Sequence, residues 1–341
     1  MITDPLRDLP TFSDIEDAAH RLKDVVVHTP LLRSEELDRV VGAPVWIKPE
    51  TLQRTGSFKM RGAWNRISRI PVGDRARGVV AFSSGNHAQG VAESARILEM
   101  KATIVMPSDA PAAKIDSTRR RGAEVRLYDR LNESREAIAA EIARVSGATT
   151  VRPFDDAWIM AGQGTAGLEA ARDSERLGVR FGSVICPASG GGLLAGIALA
   201  FEGASPETEV FVAEPEGHDD LIRSLAVREI VSNAPGIRSI ADALMSQEPG
   251  RLAFEVHKRC VRGGFVASND QLLDAMSFAF HHLKLVVEPG GANGLAVLLN
   301  NRGFFAGRGP VLVVLSGGNV DAEMFARAIA RSPFTKGSST G

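Results

Sequence analysis

Three stretches of the sequence carry residue types that could do chemistry. The first is Thr-Gly-Ser-Phe-Lys-Met-Arg-Gly at 55–62, where Lys59 stands between two apolar side chains. Most of the 40 Lys and Arg residues must be solvated surface charge. A lysine amine acts as nucleophile or base only when it is neutral, which a partly desolvated setting favours. The second stretch is Cys-Pro-Ala-Ser-Gly-Gly-Gly-Leu-Leu at 186–194. An apolar strand pattern ends there and an apolar helix pattern begins. A helix start presents unpaired N–H groups and a positive dipole end, and glycines let a phosphate approach the backbone. The spacing matches neither GxxxxGK[ST] nor GxGxxG, so the turn suits a single phosphate; a tight packing turn is the alternative. The third, Ser-Ser-Gly-Asn-His at 83–87, also opens a helix pattern. Ser83, Ser84 and the backbone there could hold a carboxylate. Asn86 could equally be a helix cap, and His87 a structural histidine.

These stretches need elements to position them. Short apolar runs at 78–84, 101–107, 123–129, 183–189, 209–215 and 310–318 alternate with helix-periodic segments. Apolar strands separated by helices predict parallel sheets covered on both faces, hence an α/β fold with right-handed crossovers. Three strands end in clusters of small or polar residues: SSGNHA, PASGGGL and LSGGN. Ligands of open α/β sheets bind beyond the carboxyl ends of strands, so the three clusters predict one cleft.

Composition narrows the function classes. The chain has 341 residues, 44% hydrophobic and 24% charged, with a net charge of −1. That balance gives no electrostatic case for nucleic acid or an anionic membrane surface. No run approaches the ~20 apolar residues of a membrane span. The N-terminal segment is acidic and proline-broken, unlike a signal peptide. Cys186 and Cys260 lack metal-type spacing and read as reduced thiols. A cytoplasmic enzyme or small-molecule binding protein is expected.

Taken together, SFKMRGA (57–63), SSGNHA, SGGGL, VEPGGANGLA (287–296) and LSGGNVD (315–321) resemble the threonine/serine dehydratase family of fold-type II pyridoxal-phosphate enzymes. HTPLLRSEELD (28–38) and PFDDAWIMAGQGTAGLE (153–169) extend the resemblance over nearly the whole chain. Serine racemase is a relative. The resemblance implies two open α/β domains with mostly parallel sheets: a large cofactor-binding one of residues 1–52 plus 151–330, and a smaller one of 53–150. Residues 331–341 read as a tail. It implies that Lys59 bonds the cofactor aldehyde and then serves as base. Phe58 would pack on the pyridine ring and Asn86 bond its hydroxyl. Ser189, Gly190, Gly191, Gly192 and Leu193 would hold the phosphate. Ser316 would face the pyridine nitrogen, making the ring a weaker electron sink than an Asp partner would. Ser83, Ser84, His87 and Asp242 would contact substrate, Ser84 also working opposite Lys59 in racemases.

The implied reaction is elimination of water from a β-hydroxy α-amino acid, with threonine or serine as the family default. 3-Hydroxyaspartate is the alternative, with Arg135 receiving its second carboxylate. For Arg135 alone, a helix-surface ion pair is the competing reading. Racemisation, or a non-catalytic amino-acid binding protein on the same fold, are further alternatives. The resemblance also implies Mg²⁺, or Ca²⁺ or Mn²⁺, held by Glu214, Asp220 and the carbonyl of His218, and a homodimer or higher homo-oligomer.

Overall fold

The structure, a computed structural model, describes residues 2–110 and 112–331, with Ala113 described by its backbone alone. Among the described residues the strands are β1 (Leu32–Arg33), β2 (Val45–Pro49), β3 (Val79–Phe82), β4 (Ala102–Pro107), β5 (Glu124–Tyr128), β6 (Thr149–Thr150), β7 (Ser183–Pro187), β8 (Glu209–Pro215), β9 (Val261–Ala267) and β10 (Val311–Leu315). They form a six-stranded sheet ordered β1-β2-β10-β7-β8-β9 and a four-stranded sheet ordered β5-β4-β3-β6. Every pairing of these strands is parallel except β1 with β2.

The last strand takes a central place. Val313 of β10 lies opposite Ile47 of β2 on one side and Ile185 of β7 on the other. Its sequence, Val-Leu-Val-Val-Leu, is apolar throughout because both sheet faces are covered. Val311, Val313 and Leu315 join a core with the Asn269–Phe278 and Pro289–Asn300 helices. Leu312 and Val314 join the opposite core with Leu193, Leu194 and Ile197 of the Gly192–Ala204 helix. The period of two thus sends successive side chains into different layers. Each such burial contributes about 1.5–3 kcal/mol. The four-stranded sheet is covered likewise. Val80 and Val105 pack with Ala139 of the Arg135–Ser146 helix, and Ala81 and Ile104 with Ala88 and Val91 of the Asn86–Ile97 helix.

Four strands do not show in the sequence pattern: β1 and β6, of two residues each, and the longer β2 and β9. β2 carries Lys48 as its fourth residue, and β9 reads Val-Arg-Gly-Gly-Phe-Val-Ala, so neither is a continuous apolar run. Lys48 is nevertheless fully buried, its Nζ donating to the Thr29 carbonyl at 2.6 Å and to Glu169 at 2.7 Å. Both cysteines are free thiols. Among the described residues no helix is long and apolar enough to cross a membrane. The expected tail at 331–341 lies outside the described residues except for Arg331, which is held by Asp270 and Asp274.

Candidate active site

Because the sheets are parallel, their carboxyl ends gather the site. Phe58, Lys59, Ser83–His87, Arg135, Ser189–Leu193, Asp242 and Ser316 all line one cavity of about 280 Å³.

Lys59 is the first residue of the Lys59–Ile67 helix, and backbone bonds fix where that helix begins. Ser57 bridges Gly317, and the Phe58 N–H donates to the Ser316 carbonyl at 3.1 Å. The start of one helix is thereby fastened to the end of β10, far away in sequence. The next turn is anchored by Arg61, which is fully buried. Its guanidinium donates to Glu50 at 2.7 and 2.8 Å and to Glu169 at 2.7 and 2.8 Å. With Lys48 this makes two cations against two carboxylates, so no charge of this group is buried uncompensated. Desolvation opposes the charge on Arg61, but Glu50 and Glu169 outweigh it and hold its pKa above the ordinary range.

The Lys59 Nζ donates to the Pro153 carbonyl at 2.7 Å and lies 5.0 Å from the centre of the Phe58 ring. The side chain is half-buried because it borders the cavity, yet protein surrounds it at longer range. That wider surrounding governs hydration, and desolvation lowers the amine pKa to about 8. A carbonyl is a neutral partner, so it does not restore the charge.

The glycine turn ends β7 and opens the Gly192–Ala204 helix. Gly191 is its N-cap at φ 87°, and no side chain caps the helix start. Only glycine fits here. A Cβ on Gly191 would lie 2.2 Å from His257 Cε1, and one on Gly190 would lie 2.4 Å from the Phe154 ring. His257 is fully buried and its Nε2 bonds the Gly191 carbonyl at 3.0 Å, so the ring carries its proton on Nε2. Burial pushes its pKa down to about 4, so it supports the turn as a neutral ring. The Ser189 hydroxyl accepts from the Ser246 N–H at 2.9 Å, which leaves its own O–H free to donate.

The Asn86–Ile97 helix likewise starts without a side-chain cap, its N-cap being Gly85. Asn86 is therefore not a cap. Its Nδ2 donates to Glu288 at 2.6 Å and its Oδ1 accepts from Asn319 at 2.8 Å. His87 donates through Nε2 to the Val151 carbonyl at 3.0 Å. Desolvation, then the nearby Lys59 charge, lowers its pKa to about 3. It is a neutral wall of the cavity and not a base.

Arg135 does reach the cavity, but its guanidinium is half-exposed, pairs with Glu136 at 2.8 Å and lies over the Phe82 ring at 5.5 Å. The ion pair with a helix neighbour is present, though one residue along and not four. Asp242 meets Lys114, whose Nζ donates to its Oδ2 at 2.6 Å. Sequence reading missed Lys114, Glu288 and Asn319, all lining the cavity. Glu288 stands just before Pro289, at the start of a glycine-rich helix, which was its only local signal. Desolvation pushes the Glu288 carboxyl up to about 7.

A second cluster ends β8. Glu214 is fully buried and accepts from the N–H groups of Leu221 and Ile222 at 3.1 and 2.8 Å. Burial and the Asp220 charge raise its pKa well above the carboxylate range. Asp220 Oδ1 accepts from Asn233, while Oδ2 is buried without a partner among the described residues. An orphaned carboxylate oxygen beside a second carboxylate fits a hard divalent cation. The His218 imidazole instead bonds the Ile237 carbonyl. Among the described residues no three His, Cys, Asp or Glu side chains group to hold a metal, so a backbone carbonyl would have to contribute.

The donor set of the cavity also fits pyridoxal phosphate: a neutralisable amine, an uncapped glycine turn for one phosphate, and Ser316 at the end of β10. Comparison with known proteins agrees. The profile of the family described as pyridoxal-phosphate dependent enzyme matches residues 22–317. L-threo-3-hydroxyaspartate ammonia-lyase of a Pseudomonas species is 43% identical over 319 residues, 93% of this chain and 98% of that one. Serine racemase of Schizosaccharomyces pombe is 38% identical over 95% of this chain and 98% of its own. The crystal structure of serine racemase from Dictyostelium discoideum superposes with a TM-score of 0.86 at 34% identity, covering 92% of this chain and 99% of that one.

Proposed function

Since the chain belongs to the pyridoxal-phosphate-dependent enzyme family, we propose that it eliminates water from a β-hydroxy α-amino acid, releasing an oxo acid and ammonia. One observation carries this reading: the desolvated amine of Lys59 opens onto the same cavity as the uncapped glycine turn. Pyridoxal phosphate, when bound, supplies an electron sink joined to the substrate α-carbon.

The chain's own residues divide the remaining work. The N–H groups of Gly190–Leu193 and the Ser189 hydroxyl would hold the phosphate, with Phe58, Asn86 and Ser316 about the ring. Ser83 and Ser84 sit at an open helix start, where backbone dipoles and hydroxyls suit the substrate α-carboxylate. Lys59 takes the α-proton at Nζ as general base, which its lowered pKa allows near neutral pH. The Ser84 hydroxyl is the second group proposed to carry a proton, opposite Lys59. Loss of the α-proton and of the β-hydroxyl, which departs as water with a further proton, leaves an enamine that hydrolyses to products.

Among hydroxy amino acids the acidic one, 3-hydroxyaspartate, is favoured. Besides Lys59, two cations, Lys114 and Arg135, line the cavity, whereas the side chains of threonine and serine offer a cation no charged partner. The relative 43% identical, named for that substrate, supports the same choice. Glu214, Asp220 and the His218 carbonyl would hold Mg²⁺, or Ca²⁺ or Mn²⁺, and the homo-oligomer is part of the proposal. The test is ammonia release by the pyridoxal-phosphate-loaded protein from threonine, serine and 3-hydroxyaspartate. 3-Hydroxyaspartate should show the highest kcat/KM. Release from none of the three would remove the elimination reading, and a preference for threonine would remove the substrate choice.

A further inference from the structure

Lys114 and Asp242 meet in the lining of the cavity from different parts of the fold. Lys114 belongs to the Ala112–Arg120 helix, which connects β4 and β5 of the four-stranded sheet. Asp242 belongs to the short Asp242–Leu244 turn, which connects β8 and β9 of the six-stranded sheet. Their charged atoms are 2.6 Å apart, and both residues line the cavity that holds Lys59.

The two partners are unequal. The Lys114 side chain is 29% exposed and that of Asp242 is 61% exposed. Lys114 is therefore placed to stay in the cavity wall, while Asp242 can return to water at small cost. An ion pair this open contributes little to stability, so its exchange for another carboxylate is nearly neutral for the fold. Arg135, which lines this cavity together with Lys114 and Lys59, already has the Glu136 carboxylate and the Phe82 face. Among the described residues the one ion pair of Lys114 is with Asp242, the buried Glu288 carboxyl acting on it only at longer range, and an ammonium carries three donors.

We propose that Lys114 is the specificity-determining residue that receives the distal carboxylate of a dicarboxylic hydroxy amino acid, and that Asp242 holds its place until that substrate arrives. The inference rests on the elimination reading above. A substrate ending in a methyl or a hydrogen leaves Asp242 on Lys114. A substrate with a second carboxylate displaces it, so the new charge-assisted bond belongs to that substrate alone.

The experiment compares the wild type with Lys114→Met, Lys114→Arg and Asp242→Asn. Its first readout is the ratio of kcat/KM for 3-hydroxyaspartate to that for serine. Its second is the rise in melting temperature produced by succinate, which has both carboxylates and no amine. Lys114→Met should lower the ratio about tenfold or more and shrink the succinate shift. Lys114→Arg should retain most of both. Asp242→Asn should enlarge both, because the competing carboxylate is gone. Equal losses on serine and 3-hydroxyaspartate would make the pair a mere clasp between the two sheets and overturn the proposal, as would an unchanged ratio. If no substrate releases ammonia yet the succinate shift still depends on Lys114, the elimination reading fails and the carboxylate subsite stands.

Discussion

Lys59 is useful only as a neutral amine, and its surroundings decide how much of it is neutral. With a pKa of about 8, set by desolvation, half of the amine is uncharged one unit above neutrality. The sign is fixed: raising pH removes the proton and frees the nucleophile. Capture of pyridoxal phosphate by cofactor-free protein should therefore speed up about tenfold per unit below pH 8 and level off above it. Stopped-flow absorbance would follow this, and a rate still climbing steeply at about pH 10 would mean an ordinary solvated lysine. The role proposed for Lys59 could be read from the sequence because its short motif stands with two others in a fixed order. The places of Glu288 and Lys114 could not, because each meets its partner, Asn86 and Asp242, from a distant part of the chain.

At the scale of elements, the site is built from strand ends and helix starts. The Gly192–Ala204 and Asn86–Ile97 helices both begin without a side-chain cap and open onto the cavity. Unmet N–H groups at a helix start are stabilised by an anion. Both were legible as apolar runs broken by small residues, whereas the buried proton partner under the glycine turn, His257, was not. The end of β8 and the start of the Asp220–Val227 helix form the other such junction. Glu214 and Asp220 are buried there together, and a bound divalent cation would stabilise the folded protein by mass action. Excess chelator should lower the melting temperature, millimolar Mg²⁺, Ca²⁺ or Mn²⁺ should restore it, and Glu214→Ala and Asp220→Ala should no longer respond to added metal. Identical melting curves of the wild type in chelator and in Mg²⁺ would reduce the junction to a buried acidic turn.

At the scale of the molecule, chain order and sheet order differ, and that difference makes the site. β10 inserts between β2 and β7, which brings Ser316 to the helix start that carries Lys59. The α/β class was legible from its apolar strands, since parallel strands buried on both faces admit polar positions only where these are paired. β2 escaped because Lys48 is paired by Glu169 and Thr29, and β9 because Gly263 and Gly264 interrupt it. Everything converges on one amine. The most direct measurement is ammonia release from 3-hydroxyaspartate and serine by wild type and Lys59→Ala, each supplied with excess pyridoxal phosphate at matched folded concentration. The expected result is release by the wild type and a loss of many orders of magnitude in the variant, with no visible cofactor band. A folded Lys59→Ala protein that keeps a tenth of the wild-type rate would contradict the assignment.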